Sequence, residues 1–257
     1  MNILVTGYKG FIGQNFVSAL AHHNIKLFEW GEALPDFNSV ELVIHLGAIT
    51  NTLERDIHKV MLQNYEFSCW LFEECGKRNI KLQYASSASV YGASKTFRET
   101  DMPQPQSVYA WSKFLFEQYV AKNLYKYPNL VAQGFRYFNV YGPHEQHKGD
   151  QASPYHKFLS QAIHNREIVL FLNSENYLRD FIPVEQVIEI QTKFFSKQIS
   201  GVWNVGTGKP RSFRSIAEQI ASRTGATIKY IPMPDSLKTQ YQSYTCANLE
   251  LLRSVLE

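Results

Sequence analysis

The sequence predicts an α/β fold doubly wound around a mostly parallel sheet, with a smaller lobe toward the C-terminus. Three observations predict it. Strand-like and helix-like segments alternate through the first two-thirds of the chain, a glycine-rich turn separates the first strand from the first helix, and the texture changes after Gly142-Pro143. A length of 257 residues accommodates one such unit and an appended lobe.

The elements follow in order. Asn2 to Val5 predicts a strand, Phe11 to His22 a helix and Lys26 to Trp30 a second strand. Glu41 to His45 holds a continuous apolar run, the pattern of a strand buried on both faces. From Lys59 to Lys77, the residues Val60, Leu62, Tyr65, Cys69, Leu71 and Phe72 recur at near-helical spacing. Lys81 to Ser86 predicts another strand, Val108 to Leu124 a helix capped by Ser107, and Leu130 to Phe138 a strand. Then comes a polar stretch, His144 to Ser153, and Ile228 to Pro232 looks like a strand outside the main alternation. The chain is expected to rejoin the sheet near Val202 to Val205, so residues 1–142 form the main domain and 143–257 mainly the smaller lobe.

Composition excludes several classes of function. Hydrophobic residues make up 44% and charged residues 19%, which is the balance of a packed globule and not of a disordered tail. The net charge is only +3, and the basic residues are scattered among acids, so no nucleic-acid partner is expected. Cys69, Cys75 and Cys246 lack zinc-ligand spacing, and their odd number fits a reducing compartment. Met1 leads directly into a strand and no apolar run approaches membrane-spanning length, so a cytoplasmic location without membrane contact is expected.

Three motifs carry chemistry. Gly7-Tyr8-Lys9-Gly10-Phe11-Ile12-Gly13 places glycines between strand and helix, where the backbone can approach a pyrophosphate and meet it with free N–H groups. Tyr109-x-x-x-Lys113 puts a phenol and an ammonium on one helical face, where the cation is expected to lower the phenol pKa. With 15 Tyr in the chain about one such pair arises by chance, and Tyr91-x-x-x-Lys95 is a second. That one runs through Gly92 and Ser94, a loop composition, so Tyr109 and Lys113 are preferred. Ser86 and Ser87 end a strand at the carboxyl edge of the sheet, where a hydroxyl can meet a carbonyl or alkoxide.

Glycine fingerprint, strand-end serine and Tyr-x-x-x-Lys, in that order, resemble the extended short-chain dehydrogenases/reductases, with their Rossmann-type doubly wound parallel sheet. The strings Tyr84-Ala-Ser-Ser-Ala, Tyr109 to Glu117, Gly134 to Pro143, His147-Lys148-Gly149, Ser174 to Phe181 and Tyr230 to Asp235 resemble the ADP-glyceromanno-heptose 6-epimerase branch. The resemblance implies a redox-neutral epimerisation of a nucleotide-linked sugar with bound NADP or NAD, in a homo-oligomer. It implies Tyr109 and Lys148 as two acid/base groups, assisted by Ser87 and Lys113. Composition alone reads Lys148 as a solvated loop lysine; the matched string makes it a site residue.

By the same matching Leu46, Gly47, Ala48, Gln63 and Val140 join the glycine turn, Phe11, Ile12, Tyr109 and Lys113 in the cofactor site. Asn139, Asp150, Phe171, Leu172, Asn173, Ser174, Arg179 and Tyr241 would touch the nucleotide-sugar, Arg179 as a partner for diphosphate. The sequence departs from the family between the second strand and Leu42, where the usual helix is missing. There Asp36 and Phe37 are expected beside adenine, with Glu29 or Glu32 on the ribose, which would favour NAD. Gln63 stands where the family has Asn, and Gln186 where it has an acid. The alternative readings are a nucleotide-sugar 4-epimerase or 4-keto reductase on the same scaffold, and a catalytically idle cofactor-binding regulator.

Overall fold

The structure is a computed structural model that describes residues 1–235 and 242–257. The first strands are β1 (Asn2–Thr6), β2 (Asn24–Phe28), β3 (Leu42–His45), β4 (Lys81–Ser87) and β5 (Ala132–Tyr137). With β10 (Gly201–Val205) they form a six-stranded sheet in the order β10-β5-β4-β3-β1-β2, every neighbouring pair parallel. The chain builds outward from β1 to β2, then reverses through β3. This puts a switch point between β1 and β3, and ligands of open parallel sheets bind outside the carboxyl ends of the strands at such a point.

The strands read as apolar runs because both faces are covered. Alternate residues feed two cores. Ile3, Val5, Leu42, Ile44, Phe135 and Val205 pack under α1 (Phe11–Ala19), α6 (Val184–Lys193) and α8 (Glu250–Leu256). Leu4, Val43, Leu82 and Ala132 pack under α3 (Phe67–Arg78) and α4 (Val108–Asn123). Burying one Leu or Phe of this kind contributes about 1.5–3 kcal/mol.

The helix expected at Lys59 to Lys77 contains a discontinuity. α2 (Ile57–Val60) passes through a π-helical segment, Met61–Glu66, into α3. The wider turn adds a residue to the cycle, so Leu62 from the expected apolar face is exposed and Asn64 turns inward, 1% exposed. Asn64 then closes both hydrogen bonds with Ile49: its Oδ1 accepts from Ile49 N at 2.8 Å and its Nδ2 donates to Ile49 O at 2.9 Å. Nδ2 also donates to Ser112 Oγ at 3.2 Å, which donates to Tyr109 O at 2.7 Å.

A buried histidine continues this chain. Ser68 Oγ donates to Asn64 O, so it accepts from His45 Nε2 at 2.7 Å, and His45 Nδ1 accepts from Thr6 Oγ1 at 2.6 Å. The neutral ring tautomer follows from this network, and burial, with the Lys113 charge nearby, pushes the imidazole pKa down to about 3. An unfolded histidine titrates near ~6.5, so below that pH the unfolded chain binds a proton that the folded chain refuses. Stability is therefore expected to fall by about 3 kcal/mol between pH 6.5 and pH 4 through this group. Urea midpoints across that range, for the protein and for His45→Gln, check the figure; equal slopes in the two would remove His45 from the account.

The remaining elements are β6 (Asn139–Tyr141), α5 (Pro154–Asn165), β7 (Glu167–Phe171), β8 (Leu178–Arg179), β9 (Phe181–Pro183), β11 (Arg211–Ser212), α7 (Phe213–Thr224) and β12 (Thr227–Ile231). Helices α5 and α7 share a separate core of Phe158, Ile168, Leu170, Phe213, Ile216 and Ile220. β12 pairs with β7 in parallel, away from the main sheet. Ser153 and Ser212 cap these helices, accepting from His156 N at 3.1 Å and Ser215 N at 3.0 Å.

Candidate active site

The cleft opens where β1, α1 and β3 approach at backbone distance. A β-carbon on Gly7, whose φ is +74°, would stand 2.4 Å from Gly47 N, and one on Gly13 would stand 2.1 Å from Gly7 O. Only glycine permits this approach. No side chain caps the start of α1, where Gly10 is the cap residue, and its first turn holds no acid. Those N–H groups, at the positive end of the helix, suit a pyrophosphate. A cleft of about 350 Å³ follows them, lined by Gly7, Gly10, Phe11, Ile12, Gly13, Glu29, Leu46, Gly47, Ala48 and Lys148.

Glu29 lies one residue past β2. Its Oε2 accepts from Lys9 N at 3.1 Å and its Oε1 from Trp30 N at 3.2 Å. Glu32 instead braces the turn, accepting from Lys9 Nζ at 2.9 Å and Glu29 N at 2.8 Å. Gln63 lines a small adjoining cavity with Glu29 and Trp30. Asp36 and Phe37 do not reach the cleft as expected. The exposed Asp36 pairs with Lys26 Nζ at 2.9 Å, and Phe37 is buried in the core against Trp70, under the Arg78 guanidinium. The short passage from β2 to β3 carries no helix to hold them forward, so the apolar ring drops into the nearest core.

A second stretch of cleft, about 290 Å³, brings Ser87, Tyr109, Lys113, Asn139, Val140 and Lys148 together. Ser107 Oγ caps α4 by accepting from Ala110 N at 3.1 Å, which sets Tyr109 in the first turn and Lys113 one turn later. Lys113 Nζ donates to Ala85 O at 2.9 Å and lies 5.9 Å from the Tyr109 ring centroid. Burial pushes the Lys113 ammonium down to about 8, with Glu117 pulling the other way. The Tyr109 phenol is raised, contrary to the expectation from spacing: burial outweighs the lowering effect of the Ser87 hydroxyl. The two strand-end serines divide the work. Ser86 is 3% exposed and donates to Glu117 Oε1, while Ser87 Oγ caps the next turn, accepting from Ser89 N at 3.1 Å.

Lys148 reaches the cleft because its loop is clamped at both ends. The fully buried Glu145 accepts from Gly142 N at 3.1 Å, Ser153 N at 2.6 Å and Ser153 Oγ at 2.8 Å. Lys148 Nζ then sits 5.2 Å from the Phe11 ring centroid, and burial lowers its pKa, opposed by Glu145.

The expected sugar-nucleotide contacts scatter. Asn139 lines the Tyr109 cleft, while Phe171 and Ser174 line a separate pocket of about 230 Å³ with Phe158, Tyr177 and Phe213. Ser174 Oγ is buried there. Asp150, Leu172 and Asn173 are exposed and line neither pocket. Arg179 donates from Nη1 to Leu178 O at 2.8 Å and from Nη2 to Gln242 O, against the Phe213 ring. Asp180 does not serve as its partner: its carboxylate takes Thr207 N, Gly208 N and Ala247 N at 2.8 to 3.0 Å. Tyr241 lies outside the described residues. Asn64, Glu117, Arg136 and Glu145, which hold the site from behind, were not foreseen; the one available signal was the place of Glu117, four residues after Lys113 on the same helical face.

The chain matches the model of the NAD dependent epimerase/dehydratase family over residues 29–206. Among solved structures it is similar to the ADP-L-glycero-D-manno-heptose-6-epimerase of Helicobacter pylori, with 29% identity and a TM-score of 0.84 over 99% of this chain and 89% of that one. It is also similar in fold to a UDP-N-acetylglucosamine 4-epimerase from Methanobrevibacter ruminantium M1, with 24% identity and a TM-score of 0.87 over 99% and 91% of the two chains. The UDP-glucose 4-epimerase of Thermotoga maritima gives 24% identity and a TM-score of 0.87 over 100% and 92%.

Proposed function

Because the chain belongs to the NAD dependent epimerase/dehydratase family, we propose that it inverts C6 of an ADP-linked heptose by transient oxidation and re-reduction. The observation that carries this reading is that Tyr109 and Lys148, from α4 and from a loop 39 residues later, line one cleft with Ser87. The likeness to the Helicobacter pylori heptose epimerase supports the choice of sugar. Bound NAD(P) supplies a reversible hydride acceptor, so none is consumed. The glycine turn and the α1 terminus hold its pyrophosphate and Glu29 its ribose. Of Tyr109 and Lys148, the one that stands deprotonated takes the proton of the C6 hydroxyl as that carbon becomes a carbonyl, Ser87 donates a hydrogen bond to the oxygen, and Lys113 supports Tyr109. The other of the two returns a proton to the oxygen when the sugar presents its other face. Asn139, Phe171, Ser174 and Arg179 are the groups proposed to hold the nucleotide-sugar.

Proton NMR of ADP-heptose incubated with the protein and NAD or NADP tests the reading. Interconversion of the two C6 epimers is expected. An unchanged heptose would reject the assignment, and inversion of UDP-glucose at C4 would favour the 4-epimerase reading instead. The exposed Ile57, Leu62 and Trp111 on the α2–α4 side are an apolar face compatible with the proposed homo-oligomer.

Glu29 carries its own expectation. A carboxylate at this place accepts a ribose hydroxyl but repels a 2′-phosphate, so NADP is expected to bind roughly tenfold or more weakly than NAD. In Glu29→Ser the gap narrows. Calorimetric titration with both dinucleotides checks this, and equal affinities in the unaltered protein would end Glu29's role in selection.

A further inference from the structure

Behind the cleft, α4 is pinned to two strands at a single carboxylate. Ser86 and Arg136 are direct cross-strand partners in the β4–β5 pairing. Glu117 reaches both: Arg136 donates from Nε to Oε1 at 3.0 Å and from Nη2 to Oε2 at 2.6 Å, while Ser86 Oγ donates to Oε1. Both ionic side chains are 5% exposed or less. Arg136 is held further by Glu99 O at 3.4 Å and by the Tyr91 ring, 4.8 Å to its centroid, whose hydroxyl donates to Asn204 Oδ1 at 2.8 Å.

An ion pair at this depth is a poor source of stability, since desolvation offsets most of its Coulomb attraction. Its placement offers another reason for it. Glu117 stands one helical turn after Lys113, and Ser86 stands between Ala85, whose carbonyl accepts from Lys113, and Ser87. We infer that Glu117 is a positioning residue of the site: clasping Ser86 and Arg136, it fixes the strand end that bears Ser87 and counterbalances the Lys113 ammonium. This rests on the reading of Tyr109, Lys113 and Ser87 given above.

The other ionisable groups around Lys113 do not supply this counter-charge. Tyr109 on its own helix and Tyr137 from β5 have raised pKa values and are neutral, and His45 from β3 is neutral through burial. Lys148 across the cleft and Arg136 from β5 are bases and bring no negative charge in either protonation state. Glu117 is the group whose charge acts to keep Lys113 protonated.

The test follows Lys113 directly, by NMR titration of protein labelled with ¹³C at lysine Cε, the resonance being assigned with Lys113→Met. In Glu117→Gln the Lys113 midpoint is expected to fall by about one pH unit. Turnover is expected to fall about tenfold with KM within a factor of about two, because proton transfer is disturbed and substrate contacts are not. An unchanged midpoint in the folded variant overturns the inference. If Glu117→Gln does not fold, the pair Glu117→Leu/Arg136→Met removes both members of that ion pair, so neither is left buried alone, and the Lys113 midpoint is still expected to fall; an unchanged midpoint there overturns the inference equally. The titration needs no sugar, so absence of epimerisation by the unaltered protein would strike the proposed function and leave this measurement to decide on Glu117.

Discussion

Replacing Tyr109 by Phe is expected to lower turnover by about 10³-fold while leaving dinucleotide affinity within a few-fold. General acid–base groups contribute roughly 10²- to 10⁴-fold. The substitution removes one oxygen and keeps the ring, so the packing of α4 and the contact with Lys113 persist. Of the two proposed acid/base groups, Lys148 has a flexible stem and a neighbouring solvent-facing loop. Tyr109 is held by the Ser107 cap, by Ser112 and, through Asn64, by the segment that lines the pyrophosphate end. Water cannot readily stand in for a phenol held in this way. Steady-state rates with the heptose substrate and dinucleotide titration on the same preparation separate the two effects. Full activity in the variant would take Tyr109 out of the chemistry, and loss of dinucleotide binding would make its role one of packing.

The second large effect is expected at Gly13. In Gly13→Ala the new β-carbon falls 2.1 Å from Gly7 O and 2.8 Å from Tyr8 Cα, both backbone-borne atoms with no freedom to swing aside. Either the turn or the start of α1 must shift. Overpacking of this kind costs about 1–3 kcal/mol, and the displaced N–H groups would no longer converge on one anion. A drop of at least tenfold in dinucleotide affinity, with thermal unfolding several degrees lower, is expected by calorimetry and circular dichroism. Retained affinity at the original unfolding temperature would mean that the turn is slack, against the geometry described.

Much of the sheet was legible because its strands are short apolar runs between turns, and parallel strands covered on both faces need that composition. The glycines of the first turn were legible for a related reason, since few other residues tolerate such an approach. What escaped was set by neighbours distant in sequence. Asn64 was missed because one extra residue in a π-turn changes which side chain faces inward, and helical periodicity carries no trace of it. Asp36 and Phe37 were placed by chemical type, but a salt bridge with Lys26 and a nearby aromatic core decide where they lie. The direction of the Tyr109 shift was misjudged because spacing reveals the cation beside a phenol but not how much water has been removed from it. Arg179 was expected as a partner for diphosphate from its chemical type; that backbone carbonyls of Leu178 and Gln242 hold two of its nitrogens was not visible in the sequence.

The late arrival of β10 has a consequence for how the molecule is made. During synthesis the flank of β5 stays unpaired until residues 201–205 emerge, some sixty residues after the rest of the sheet has left the ribosome. Until then Phe135 and Tyr137 lack part of their cover, and an open strand edge invites pairing with other chains. A nascent fragment ending near residue 195 should therefore be a client for chaperones, whereas one that includes Val205 can close its own border.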